Sequence, residues 1–186
     1  MKVYILNPDP KFRFMFPEDD VYSSENWEFK CDLLIDRLGQ FKAHFDDRVD
    51  DPIPDIAYLG MLTFAFRKDV ATELVDILEE SAELIPIYVD EELWYCLNVT
   101  KSIDAVDEDI TEFRVNDGKR KLFPVKFAFH EDRLPDSTLF KVPTDNFTRI
   151  FCVDRRDTDD QVMNNFFCAI AYHGYTGIEF EEVYSS

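Results

Sequence analysis

Apolar residues along this chain fall into short runs and two kinds of repeat, and each predicts an element. Lys2-Val3-Tyr4-Ile5-Leu6 reads as a first strand. Asn7-Pro8-Asp9-Pro10 stops it, because proline fixes φ and has no N–H to donate. Phe12, Phe14 and Phe16 alternate with Arg13 and Met15, the period of two expected of a second strand. Residues 17–26 are a polar loop. Over 27–42, Phe29, Leu33, Leu34 and Leu38 share a helical face, with Gly39 as a stop signal. Asp46 to Pro54 is a loop with four aspartates and two prolines, and Tyr58 to Phe66 is apolar and strand-like. Val70, Leu74, Ile77 and Leu78 then recur at the helical period, which predicts a helix over 68–81.

Leu84–Val89 and Leu93–Val99 predict a strand pair around Asp90-Glu91-Glu92. In the second of these, Leu93, Tyr95, Leu97 and Val99 take one face and Trp94, Cys96 and Asn98 the other. Asn116-Asp117-Gly118 signals a turn. Leu122–Phe129, Thr138–Val142 and Arg149–Val153 read as further strands. A final helix spans 158–173. Thr158-Asp159-Asp160-Gln161 fits a capping box at its start. Val162, Phe166, Ala169, Ile170 and His173 line one face, and Gly174 supplies a left-handed cap. Strands and helices are mixed without strict βαβ alternation. The fold class is therefore α+β, a mostly antiparallel sheet with a few packed helices. A chain of 186 residues predicts a single compact domain, 1–186.

Composition changes the picture mainly through charge. The net charge is −19, yet eighteen phenylalanines supply a core, so the acidity does not signal disorder. Residues 1–60 are net −6, residues 61–118 net −11 and residues 119–186 net −2, so the acidity belongs to the middle third. A field of that sign repels nucleic acid and anionic membranes and attracts basic partners. Cys31, Cys96, Cys152 and Cys168 are widely spaced with no Cys-x-x-Cys, and three lie in apolar segments. That pattern predicts reduced, buried thiols. No basic and apolar leader follows Met1 and no apolar run reaches the roughly 18–20 residues that span a bilayer, which predicts a cytoplasmic protein.

Two acidic clusters in the middle third are not explained by local stability. Glu79, Glu80 and Glu83 sit at or just past the end of the 68–81 helix, where acids oppose the macrodipole at about 0.3–1 kcal/mol each. Asp104, Asp107, Glu108, Asp109 and Glu112 fall within nine residues and have no base among them. Each cluster reads either as a solvated face or as a docking surface for a basic protein. A third cluster, Asp46, Asp47, Asp50 and Asp51, is interrupted by Arg48. Trp94 belongs with the docking candidates if the Leu93–Val99 face is the core, since tryptophan is enriched at interface hot spots. Otherwise it is core.

The C-terminal stretch His173-Gly174-Tyr175-Thr176-Gly177-Ile178-Glu179-Phe180-Glu181-Glu182-Val183 is a helix closed by glycine and followed by Thr-Gly-Ile-x-Phe-x-x-Val. Upstream, in order, stand Pro54-Asp55-Ile56, the 68–80 helix, Glu83-Leu84-Ile85-Pro86-Ile87, Leu93–Val99, Ile103-Asp104-Ala105-Val106-Asp107, Leu139-Phe140-Lys141-Val142 and Ile150-Phe151-Cys152-Val153. This ordered set resembles the eleventh immunity family of bacterial polymorphic toxin systems, typified by a myxobacterial protein. The resemblance covers roughly residues 53–184 and leaves 1–52 as a variable N-terminal part before a family-like core, 53–186. It implies a bacterial immunity protein that protects its own cell from a cognate toxin domain. Toxins of this kind are often nucleases delivered by secretion systems, the type VI system among them. The implied partner is such a toxin domain, basic because it holds phosphate backbones.

Catalytic signatures are missing from the sequence. His44, His130 and His173 have no zinc-site spacing, five glycines leave no phosphate cradle, and Asp154 to Asp160 lacks the glycine of a calcium loop. His173 reads as packed on its helix. Arg155-Arg156 and Lys119-Arg120-Lys121 read as sources of internal ion pairs. The expectation is an inhibitor, not an enzyme, with no cofactor, no metal, no nucleic-acid or membrane partner and an oligomeric state the sequence leaves open. The alternative is an acidic nucleic-acid mimic that inhibits a DNA-binding protein, which would need its carboxylates in one long stripe.

Overall fold

The computed structural model describes residues 1–18, 21, 28–60, 62–117, 120–136 and 138–186. Most of the expected polar loop at 17–26, the first residue of the expected 27–42 helix, and Gly118 and Lys119 lie outside the described residues. The fold is α+β with mostly antiparallel pairing. It is built from a barrel, a four-stranded sheet and a hairpin, and three apolar cores sit within and between them.

The barrel closes in the order β2 (Met15–Pro17), β3 (Phe41–Phe45), β6 (Ala82–Val89), β7 (Glu92–Val99), β5 (Thr63–Arg67), β4 (Ile56–Leu59). Two joints are parallel, β3 with β6 and β2 with β4. The rest are antiparallel. Pro86 is tolerated inside β6 because pairing with β3 begins only at Ile87, so no ladder bond on that side needs its missing N–H. A barrel this small has no lumen, and side chains fill it. Met15, Ala57, Leu59, Ala65, Ile85, Ile87, Trp94 and Cys96 form that filling, and Phe29 and Leu34 close it from outside the strands.

The opposite face of the same strands forms the second core. Phe64, Phe66, Leu97 and Val99 pack under helix α2 (Lys68–Glu79), which contributes Val70, Leu74 and Leu78. Against them lies one face of the four-stranded sheet, ordered β10 (Leu139–Phe140), β11 (Phe151–Asp154), β1 (Lys2–Pro8), β12 (Ile178–Ser185). The other face of that sheet forms the third core, in which Val3, Ile5, Phe140 and Phe151 meet Phe127 and Phe129. Phe140 and Phe151 stack at 5.4 Å, and Phe127 meets Phe151 edge-on at 5.1 Å. A separate hairpin, β8 (Glu112–Val115) with β9 (Lys121–Lys126), pairs with no other described strand.

Several elements depart from the sequence expectation, each for a tertiary reason. Tyr58 to Phe66 is not one strand but the hairpin β4–β5, with Leu62, just before β5, in the left-handed region. Met15 and Pro17, not Phe12, Phe14 or Phe16, are the buried residues at the second strand. The 27–42 helix is a single turn, α1 (Ile35–Leu38), followed by β3. Its apolar periodicity is broken, since Leu33 is 71% exposed while Phe29 and Leu34 plug the barrel. The last helix is two, α3 (Asp159–Met163) and α4 (Phe166–His173). Asn165 divides them: its side chain caps α4 at Cys168 N–H and donates to Asp154 Oδ1 at 2.8 Å. Thr158 caps α3 as expected, but the Gln161 side-chain oxygen accepts from Asp157 N–H instead of from the cap residue itself. His173 lies on the exposed surface of α4, stacked on Tyr175 at 5.0 Å and 3.9 Å from Glu73.

Candidate functional site

The sequence candidates separate once their surroundings are known. Glu79 and Glu80 are exposed at the C-terminal end of α2, whose last turn has no base. They continue an outward row on the same helix: Asp69, Glu73, Asp76 and Glu80 follow the 3.6-residue period and are all exposed. This row was legible from spacing but hidden behind the two denser clusters. Asp69 is committed locally, since the Arg67 guanidinium hydrogen-bonded to it holds its carboxyl below the usual range.

Glu83 has a different role. Its Oε1 accepts from Leu34 N–H, from Ile35 N–H at 3.2 Å and from Asn98 Nδ2 at 2.7 Å. The carboxylate thus ties the 28–38 segment down over the barrel, and its charge is spent inside the protein. Trp94 is corrected as a contact residue. It is 1% exposed inside the barrel, with Phe45 edge-on at 5.6 Å. Both faces of β7 are buried, one in the barrel and one under α2, so alternation along the strand did not tell inside from outside.

The run from Asp104 to Glu112 is less bare than its sequence. The hairpin brings Lys121 to 3.5 Å from Glu108 and Lys126 to 3.3 Å from Glu112. Asp107 accepts from the amides of Asp109 and Ile110 and stands 3.8 Å from His130 Nδ1, so it shapes the turn that carries the others. Asp104 and Asp109 are exposed, with no ion pair among the described residues. The Ser81 carbonyl accepts from both Thr100 N–H and Lys101 N–H, which ties the end of α2 to the strand end that leads into this run. Asp46 of the third cluster is held by Arg13 and Arg48 and is structural.

A further acidic feature escaped the sequence reading. The β6–β7 turn puts both Asp90 and Glu91 at positive φ, a two-residue hairpin turn usually made with Asn-Gly. Together with Glu18, Lys42, His44 and Tyr88 they line an open groove of about 450 Å³ at one end of the barrel. Among the described residues, no three His, Cys, Asp or Glu side chains converge to hold a metal ion. The basic pairs are internal: Arg156 makes a two-point bond to Asp154 at 2.7 and 2.8 Å, and Arg155 stands 4.0 Å from Asp136.

The C-terminal motif proves to be a lock. Thr176 N–H and Oγ1 donate to Asp55 Oδ2 at 3.0 and 2.8 Å, and Asp55 N–H donates back to Thr176 Oγ1 at 3.1 Å. Ile56 N–H donates to the Thr176 carbonyl, and Arg67 completes the knot on Asp55 Oδ1 at 2.9 Å. Thr176-Gly177-Ile178 and Pro54-Asp55-Ile56, far apart in sequence, are thus two halves of one contact. Residues 89–185, just over half of the chain, match the immunity protein family (Imm11). The chain belongs to that family. Among curated proteins, none matches it. The part matched to the Imm11 family holds the run from Asp104 to Glu112, the β8–β9 hairpin, the four-stranded sheet except β1, and β7. Helix α2, with Glu79 and Glu80, and Glu83 after it lie before it. No described helix is long and apolar enough to cross a membrane.

Proposed function

We propose that this immunity protein acts in the cytoplasm by binding a cognate secreted toxin domain, a basic nuclease, and covering its active cleft without chemistry of its own. The observation that carries this reading is the exposure of carboxylates on α2 and at Asp104 and Asp109 in a chain of net charge −19. Such a surface accelerates encounter with a cationic protein and positions it. Glu79, Glu80, Asp104, Asp107, Glu108, Asp109 and Glu112 make up the proposed contact and steering surface. Glu83 and Trp94 are left out of it because one is spent on the 28–38 segment and the other is buried. Nucleic-acid mimicry is less well supported, since Asp69, Glu108 and Glu112 are each engaged by a base and interrupt any long bare row.

The test is co-expression with the toxin domain encoded next to this gene, scored by survival and by recovery of the complex through a tag on the toxin. Survival with a stable complex is expected; death without a complex would sink the reading. A variant carrying Glu79→Gln, Glu80→Gln, Asp107→Asn, Glu108→Gln and Asp109→Asn should associate about 10–100-fold more slowly at low salt, with a flatter salt dependence. Unchanged affinity and salt slope would remove these residues from the surface.

A further inference from the structure

The β8–β9 hairpin is built unlike the rest of the protein. Most other strands bury at least one face in a core, but here a two-stranded sheet stands alone with most of its side chains in solvent. An isolated hairpin is only marginally stable in water, so exposed apolar side chains on one are a cost that local folding does not explain. Val115 is 53% exposed, Leu122 51%, Phe123 42% and Val125 57%. Phe123 and Val125 flank the buried Pro124 on β9 and are both exposed. Arg114 lies over the Phe123 ring at 5.8 Å. Pro124, between them, is buried against the body, its carbonyl accepting from Arg149 Nη1 at 3.2 Å.

Charge sets the hairpin apart as well. Residues 104–126 are net −1 in a chain of −19, because the bases of the hairpin offset the acids at its root. Lys121 and Lys126 pair with Glu108 and Glu112, and the arm itself, residues 112–126, is net +3 with five bases and two acids, while beside it stand the carboxylates of Asp104 and Asp109, which have no ion pair among the described residues. An open groove of about 370 Å³ runs between the arm and the sheet, with Val125 and Lys126 on one side and Glu181 and Val183 on the other. Apolar side chains at a centre, charges at the margin and an adjoining groove are the anatomy of a protein–protein contact.

We infer that the β8–β9 hairpin is the apolar anchor of toxin binding, resting on the function proposed above. Its occupant is an apolar patch of the toxin domain lying next to a cationic one. The cationic patch meets Asp104 and Asp109; the apolar patch meets Phe123 and Val125. The two parts of the surface act on different rates. Exposed acids speed encounter, while desolvated apolar contacts slow release.

The experiment compares wild type with Phe123→Ser/Val125→Ser in stopped-flow binding to the purified toxin domain, with amide exchange of the wild-type complex measured alongside. Neither residue belongs to the three cores, and a thermal melt checks that the variant is folded. The variant should dissociate about ten-fold faster or more, as expected for a hot spot. Its association rate and salt slope should stay within about two-fold. Amides of 112–126 should be protected in the wild-type complex. Unchanged dissociation, or a hairpin that gains no protection in a wild-type complex, overturns this inference and leaves the proposed function standing. Absence of any wild-type complex instead removes the proposed function. Dimerisation of the free protein that the variant abolishes, with toxin kinetics unchanged, would assign the arm to a second copy of the chain and also overturn the inference.

Discussion

Single residues carry most of what makes this fold particular. Lys141 is 1% exposed and its ammonium donates to the Phe29 carbonyl at 2.7 Å, pinning the segment that plugs the barrel. Burial pushes its pKa down. A base with a depressed folded pKa costs the folded state while it is charged. That cost is full below the folded pKa and fades as pH rises towards the unfolded value of about 10.4, because in that interval the unfolded chain binds more protons. Lys141→Met removes the cost and leaves the Phe29 carbonyl unpaired, at about 1–3 kcal/mol. Stability of wild type relative to Lys141→Met should therefore rise between pH 7 and about pH 10 in paired urea titrations. A gap that stays flat would mean that the burial of this charge is not felt. The same scale explains the cysteines: Cys96 and Cys152 are fully buried and burial pushes both thiols up, so they act as core side chains.

At the scale of elements, the informative contact is the one between β12 and β4. Gly177 has φ +99°, and a Cβ there would stand 2.0 Å from the Ile56 carbonyl oxygen and 2.6 Å from Pro54 Cβ. Only glycine allows the Thr176–Asp55 lock to close. Gly177→Ala should cost at least about 2 kcal/mol, read as a lowered urea midpoint with an unchanged slope. A loss below about 0.5 kcal/mol would mean that the two segments separate without consequence. Helices show how neighbours override local pattern. The capping signal at Thr158 was legible because it is satisfied within a few residues. The division of the last helix was not, because Asn165 breaks it by binding Asp154 on β11. Likewise α2 announced itself by one apolar stripe, while the apolar residues of 27–42 serve the barrel from irregular chain.

At the scale of the whole molecule, the second and third cores share the four-stranded sheet, and the first and second share the barrel strands. Shared walls couple the layers, and we expect the chain to unfold as one unit. Calorimetry should give one transition with equal calorimetric and van't Hoff enthalpies. Two resolved transitions would divide the barrel from the sheet. Sequence alone determined the α+β class, the acidic middle third, helix α2 and the β6–β7 pair, because each rests on period or composition within a short window. It also carried the family resemblance, since Thr176-Gly177-Ile178 and Pro54-Asp55-Ile56 are short and ordered. Tertiary structure alone decided that the barrel closes, that Trp94 lies inside it, that Glu83 is spent on the 28–38 segment and that Lys121 and Lys126 pair with two of the five acids of the second cluster. The physical reason is the same for all four: burial and ion pairing depend on which distant segment arrives beside a residue, and spacing along the chain does not encode that.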